Sequence, residues 1–162
     1  MGILDAGQRE ARSRMAEMLK QAYWMEIETV MSYIANSINP DGVRAQEIVA
    51  SLREEIQEEL GHAQLFGRRI KELYGVVPGS AEFKSRQAAL QPPGDQADVV
   101  HVIKGVIEAE RGAIDYYNAI IEYASEHGDP VTADMVTTIL ADEEGHLRLF
   151  EGFLREYERA GA

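Results

Sequence analysis

Two short stretches carry the residue types that hold metal ions through oxygen and imidazole: Glu58-Glu59-Leu60-Gly61-His62 and Asp142-Glu143-Glu144-Gly145-His146. Each places a glutamate and a histidine three residues apart, which on a helix puts both side chains on one face. The copies lie 84 residues apart, and each has a carboxylate partner at one fixed offset upstream: Glu59 follows Glu26 by 33 residues, and Glu143 follows Glu110 by 33. Tyr33 and Tyr117 repeat the pattern seven residues after their glutamates, and Leu65-Phe66 and Leu149-Phe150 repeat it after the histidines. A duplicated helical hairpin has this signature. Four carboxylates in an apolar interior cannot all stay ionised without compensation, because a bare buried charge costs at least several kcal/mol. Two divalent cations neutralise four glutamates, and two neutral imidazoles complete the coordination without adding charge. Oxygen and imidazole donors suit Fe, Mn or a mixed pair. A lone glutamate on an apolar stripe is more often a helix-edge residue reaching water, and a lone histidine a hydrogen-bonded core residue. That reading does not explain six of them at duplicated spacing: Glu26, Glu59, His62, Glu110, Glu143 and His146.

Around these six, other residues have two readings each. Helical side chains lean toward the N-terminus, so the hydroxyls of Tyr33 and Tyr117 can approach the carboxylates as donors or as an electron source; ordinary aromatic core is the alternative. Glu58 and Asp142, four residues before the histidines, either orient the imidazoles or are solvated surface. Glu55 lies one turn before Glu59, but its counterpart in the repeat is Ile139. It is read as a solvated helix residue rather than as a further carboxylate at the site. Glu28 and Glu108, two residues from a candidate ligand, are expected to point away from the core. His101 and His127 fall outside the repeat, and the dipole of a helix end accounts for His127. Gly61 and Gly145 cost roughly 1 kcal/mol each in mid-helix, and a close approach of helices would explain them.

The elements that must position these groups are four helices, over about 8–36, 43–74, 98–126 and 130–159. Apolar residues at spacings of three and four mark each stripe, and each stripe turns polar at its centre. Asn39-Pro40-Asp41-Gly42 makes the first turn, Gly75 is a C′ glycine, and Asp129-Pro130 gives an N-cap followed by a helix-opening proline. Residues of about 75–97, with Pro78, Gly79, Pro92, Pro93 and Gly94, form a connection too long for a tight hairpin. A short helix over Ser80–Leu90, capped by Ser80, is expected inside it. The expected fold is all-α, a single four-helix bundle over residues 1–162 with a long crossover between helices 2 and 3. Tyr23, Trp24, Ile27, Met31 and Ile34 give the first helix a second apolar surface, which predicts a helix-to-helix dimer contact.

Composition narrows the function classes. The absence of cysteine among 162 residues excludes disulfides, thiolate metal sites and cysteine nucleophiles. A net charge of -12 argues against a nucleic-acid partner, since phosphate binding needs a basic face. No segment is long and apolar enough to span a membrane, and the N-terminus has neither a signal-peptide pattern nor a myristoylation site. A cytoplasmic location is the expectation.

The pattern Glu26…Glu59-x-x-His62…Glu110…Glu143-x-x-His146 resembles the ferritin-like di-iron carboxylate superfamily, in its bacterioferritin and Dps-like branch. Asp129-Pro-Val-Thr-Ala-Asp134 leading into Ala141-Asp-Glu-Glu-Gly-His146-Leu looks like the last bundle helix of bacterioferritins, and Glu26 with Tyr33 is similar to their first. The resemblance implies a ferroxidase, an oxidoreductase that oxidises Fe(II) with O2 or H2O2 for iron storage, detoxification and protection from oxidative stress. It implies two Fe ions per chain held by the six residues, with Glu59 and Glu143 bridging, and a homo-oligomer. Three positions depart from relatives. Leu60 stands where bacterioferritins place a haem-ligating methionine, so no haem is expected there. Ala113 stands where rubrerythrins add a glutamate, and the cysteine-rich domain those proteins carry is missing. The chain ends after its fourth helix, where bacterioferritins continue into a fifth that packs their cage, so a dimer or a smaller shell is expected. Competing readings are a peroxide reductase fed by an external electron donor and a non-enzymatic metal-binding protein.

Overall fold

The computed structural model describes residues 1–161. Among them are four long α-helices and no strand: α1 (Arg9–Ile38), α2 (Gln46–Glu72), α3 (Val99–Glu126) and α4 (Pro130–Ala160). α1 packs along α2 as one hairpin and α3 along α4 as a second. Between the hairpins, the backbones of α1 and α3 approach closely, while those of α2 and α4 stand further apart and are joined through side chains.

The helix starts follow from local chemistry. Asp98 accepts a hydrogen bond from the His101 N–H (3.0 Å), and Asp129 accepts one from the Thr132 N–H (3.0 Å), each satisfying a donor that its first turn leaves free. The end of α2 differs from expectation. The residue in the left-handed region is Tyr74 (φ 63°), not Gly75. Bonds from Tyr74 N to Lys71 O (3.1 Å) and from Gly75 N to Ile70 O (2.9 Å) close a Schellman turn. Gly75 is required for space, since a Cβ there would lie 2.8 Å from Ile70 Cγ2 and 3.3 Å from Ala16 Cβ.

The stripes bury two apolar clusters. One contains Met15, Leu19, Phe66, Ile70, Ile120, Val136 and Ile139; the other contains Ile48, Leu52, Leu90, Ile103, Val106 and Phe150. The polar centres of the stripes lie between them in sequence on every helix. Arg69, which the sequence reading passed over, is buried at the first end. Its Nη2 donates to Asp129 Oδ1 (2.7 Å) and its Nε to Thr132 Oγ1 (2.8 Å), tying the end of α2 to the start of α4. The buried charge is tolerated there because Asp129 pairs with it and Thr132 and Glu72 accept further hydrogen bonds from it.

The crossover forms no continuous helix over Ser80–Leu90. It makes two short 3-10 turns, Ser80–Glu82 and Ala88–Leu90, and Ser80 caps neither. The cause is Glu28. Rather than facing solvent, its carboxylate is buried on α1 and accepts hydrogen bonds from Ser85 Oγ (2.8 Å), Arg86 N (2.7 Å) and Gln87 N (2.9 Å). Those backbone donors are thereby withdrawn from any helical ladder. Asn36 Nδ2 donates to Leu90 O (2.8 Å) further along, and Gly105 on α3 admits the strap, since a Cβ there would sit 2.3 Å from Ala89 O. Phe83 of the crossover covers Trp24, with ring centroids 5.3 Å apart, so part of the surplus apolar surface of α1 is used within the chain.

Candidate metal centre

Each helix delivers one part of the polar layer, and the parts meet in the middle of the bundle. Glu26, Glu59, His62 and Glu143 offer ligand atoms within 4.8 Å of one another, and so do Glu59, Glu110, Glu143 and His146. The two quartets overlap in Glu59 and Glu143. Two cation positions therefore have one private glutamate and one histidine each, and share two carboxylates. All six side chains are buried.

The imidazoles are oriented across the hairpins. His62 Nε2 lies 2.9 Å from Asp142 Oδ2, and His146 Nε2 lies 2.8 Å from Glu58 Oε2. A carboxylate only accepts, so Nε2 carries the proton in both rings and Nδ1 faces the cluster. Glu58 and Asp142 thus hold the histidines in the manner usual for metal-binding imidazoles. The tyrosines are not ordinary core. Tyr33 Oη donates to Glu110 Oε1 (2.8 Å), and Tyr117 Oη donates to Glu26 Oε1, each reaching the carboxylate of the other hairpin.

Four atoms at the centre have no hydrogen-bond partner among the described residues: Glu59 Oε1, Glu143 Oε1, His62 Nδ1 and His146 Nδ1. His62 Nδ1 is 3.1 Å from Glu143 Oε1, but the alignment is not that of a hydrogen bond. Buried polar atoms are rarely left unpaired, and these four are the donors that both quartets need for a cation. The residues present fit a pair of divalent ions.

The electrostatics agree. Burial, with repulsion from Glu59 and Glu143, raises Glu26 well above the usual carboxylate range; burial likewise raises Glu110 against the pull of His146. Burial also pushes Glu59 and Glu143 up, but the close approach of His62 and His146, with Glu26 beside Glu59 and Glu110 beside Glu143, outweighs it and leaves both lowered. The histidines show the reverse balance: burial disfavours their charge, yet the glutamates around them hold both well above the ordinary imidazole value. These directions share one cause, an excess of buried negative charge, which cations would neutralise.

Glu55 corrects the sequence reading. It is buried, only 5% exposed, with Oε2 unpartnered among the described residues. Burial pushes it up to about 8, against the attraction of His146. Its counterpart Ile139 is buried too, and that register was the available signal. Close helix approach does not explain Gly61 and Gly145: a Cβ at either would meet nothing within 4 Å among the described residues, and the structure offers no packing account of them.

The profile of the ferritin-like domain family matches residues 16–160. The bacterioferritin of Desulfovibrio desulfuricans is 29% identical over 147 residues, covering 90% of this chain and 78% of that protein. The DNA protection during starvation protein of Pyrococcus furiosus is 28% identical over 145 residues, covering 87% of this chain and 77% of that protein. Among solved structures, the Desulfovibrio desulfuricans bacterioferritin, described with its diiron site in different catalytic states, superposes with a TM-score of 0.81 at 25% identity over 94% of this chain and 85% of its own. With a matching profile over most of its length and a matching bundle, the chain belongs to the ferritin-like domain family.

Proposed function

We propose that this protein is a di-iron ferroxidase: it binds Fe(II) at the two overlapping quartets and oxidises it with O2 or H2O2, for iron storage, detoxification and protection from oxidative stress. The observation that carries the reading is the four orphaned donor atoms, converging from Glu59, Glu143, His62 and His146 on two positions that share carboxylates. Adjacent positions suit a two-electron step. Two Fe(II) give up one electron each, and with two protons these reduce one O2 to H2O2 or one H2O2 to two waters. The metal supplies the redox chemistry. The chain would supply a buried frame of carboxylates and imidazoles for both ions, with titratable groups close by for the protons.

In this reading Glu59 and Glu143 would be shared by the two ions, and Glu26 with His62, and Glu110 with His146, would complete each position. Tyr33 and Tyr117 fix the terminal carboxylates through their hydroxyls, and Glu58 and Asp142 fix the rings. Rapid mixing of anaerobically loaded Fe(II) protein with oxidant tests the reading. A fast phase saturating at two Fe(II) per chain, lost in Glu59→Ala, is expected. Metal binding without oxidation above the protein-free rate contradicts it, and turnover that demands an added electron donor points to a peroxide reductase. Continued iron uptake beyond the fast phase supports storage. Self-association belongs to the same proposal: Met31, Ile34 and Ile38 lie at helical spacing on α1 and remain 47%, 44% and 71% exposed, a stripe that the crossover does not cover. Among the described residues, no helix is long and apolar enough to cross a membrane.

A further inference from the structure

The metal centre has two sides, and they differ in kind. On the α2–α4 side lie the carboxylates of Glu58 and Asp142, 42% and 39% exposed, with His62 and His146 directly behind them. On the α1–α3 side the cluster is closed by the crossover. A cavity of about 10 Å³, at the threshold for one water molecule, lies there against Glu26, Glu110 and Tyr117. Outside it, a groove of about 290 Å³ opens between α1, α3 and the crossover. Met25, Gln87 and Ala109 line both and so form the partition.

Gln87 is the polar member of that partition, and it stands on the crossover rather than on a helix. Its Nε2 donates to Thr29 Oγ1 (2.9 Å) and Met25 O (3.4 Å), and its backbone N–H is held by Glu28. Because Gln87 is half-buried on the crossover and lines both spaces, its amide can leave Thr29 without displacement of a helix, and it is the polar side chain whose departure would open the groove toward the cavity.

We propose that this is the passage by which a small neutral oxidant, of the size of dioxygen or hydrogen peroxide, reaches the centre, with Gln87 as its gate, while cations arrive between α2 and α4. The proposal rests on the ferroxidase reading. The division follows from desolvation. The partition shared by groove and cavity, Met25, Gln87 and Ala109, carries no carboxylate: the glutamates of the cluster lie behind it, and of the two carboxylates lining the groove, Glu28 is already occupied by three donors and Glu108 stands at the exposed rim. A divalent ion crossing that partition would shed its hydration shell with nothing to replace it, whereas a neutral diatomic or peroxide molecule meets no such barrier. On the α2–α4 side, half-exposed carboxylates can take over the shell of an incoming cation one ligand at a time.

Two variants leave the metal-binding residues alone. Gly112 lines the groove, and a Cβ there meets nothing within 4 Å among the described residues, so Gly112→Leu starts from an open position and directs its added carbons into the groove. Gln87→Ala removes the gate. Anaerobic Co(II), followed by its visible absorption, probes cation arrival, and mixing of Fe(II)-loaded protein with O2 or H2O2 probes oxidant arrival. The expected result is an oxidant rate constant about tenfold lower in Gly112→Leu and severalfold higher in Gln87→Ala, with Co(II) stoichiometry and binding rate as in wild type. Xenon-pressurised crystals of Gln87→Ala are expected to show the gas in the joined groove and cavity. Unchanged oxidant rates in both variants, or slowed Co(II) binding in Gly112→Leu, overturn the passage while leaving wild-type oxidation intact. A wild type that binds Co(II) but never oxidises Fe(II) overturns the ferroxidase reading instead, and the passage with it.

Discussion

Glu59 and Glu143 belong to both quartets, while Glu26 and Glu110 belong to one each. Removing a shared ligand should therefore damage both cation positions, and removing a private one only one. Anaerobic Co(II) titration is expected to show about one tight ion in Glu26→Ala and none in Glu59→Ala; equal losses would contradict bridging. Glu55 gives a prediction of pH dependence. Burial raises its folded-state value from 4.5 to about 8, so between those values the folded chain holds a proton that the unfolded chain has lost. Stability from this group is full below about 4.5 and is lost as pH rises through about 8. Metal-free Glu55→Gln, neutral at every pH, is expected to lose less melting temperature than wild type across that range, and parallel curves would refute the assignment. The six candidate ligands were legible in the sequence because their identity and spacing are both duplicated. Glu55 was not, because a stripe tells which face a residue takes and not how deep neighbouring helices bury it; only the match to Ile139 carried that information.

At the level of elements, the bundle was legible and the crossover was not. Each helix announces itself through a 3.6-residue period, and α3 and α4 also through their caps, Asp98 and Asp129. The crossover takes its shape from contacts across 57 to 59 residues, from Glu28 to Ser85, Arg86 and Gln87, which no local pattern records. The same contacts explain why α1 has two buried faces, one toward the metal centre through Glu26 and Tyr33, the other toward the strap through Glu28, Thr29, Ser32 and Asn36. Glu28→Ala leaves three donors under the strap without their acceptor and is expected to cost about 1–3 kcal/mol. Limited proteolysis should then cut within residues 80–90 while helical circular dichroism stays unchanged. Cutting at the wild-type rate would show that the strap is held by other contacts.

For the whole molecule, the duplication gives a bundle with approximate two-fold correspondence between hairpins, broken where function or assembly requires it. Glu28 corresponds to Gly112 and Thr29 to Ala113, so the carboxylate and hydroxyl with which the first hairpin grips the crossover have no counterpart in the second, and the groove lies beside Gly112. The apolar stripe of Met31, Ile34 and Ile38 likewise stays largely exposed among the described residues. Native mass measurement is expected to find an assembly larger than one chain, and Ile34→Lys, which places a charge in that stripe, to shift it toward the monomer. A monomeric wild type would remove the stripe from the account of assembly.

The central claim is that six side chains from four helices hold two adjacent ions bridged by Glu59 and Glu143. Anomalous diffraction at the iron edge, from crystals loaded anaerobically with Fe(II), tests it most directly. The account predicts two peaks inside the bundle, one bounded by Glu26 and His62 and the other by Glu110 and His146, with both shared carboxylates between them. A single peak, or iron found only at Glu58 and Asp142 on the outer α2–α4 face, would contradict it.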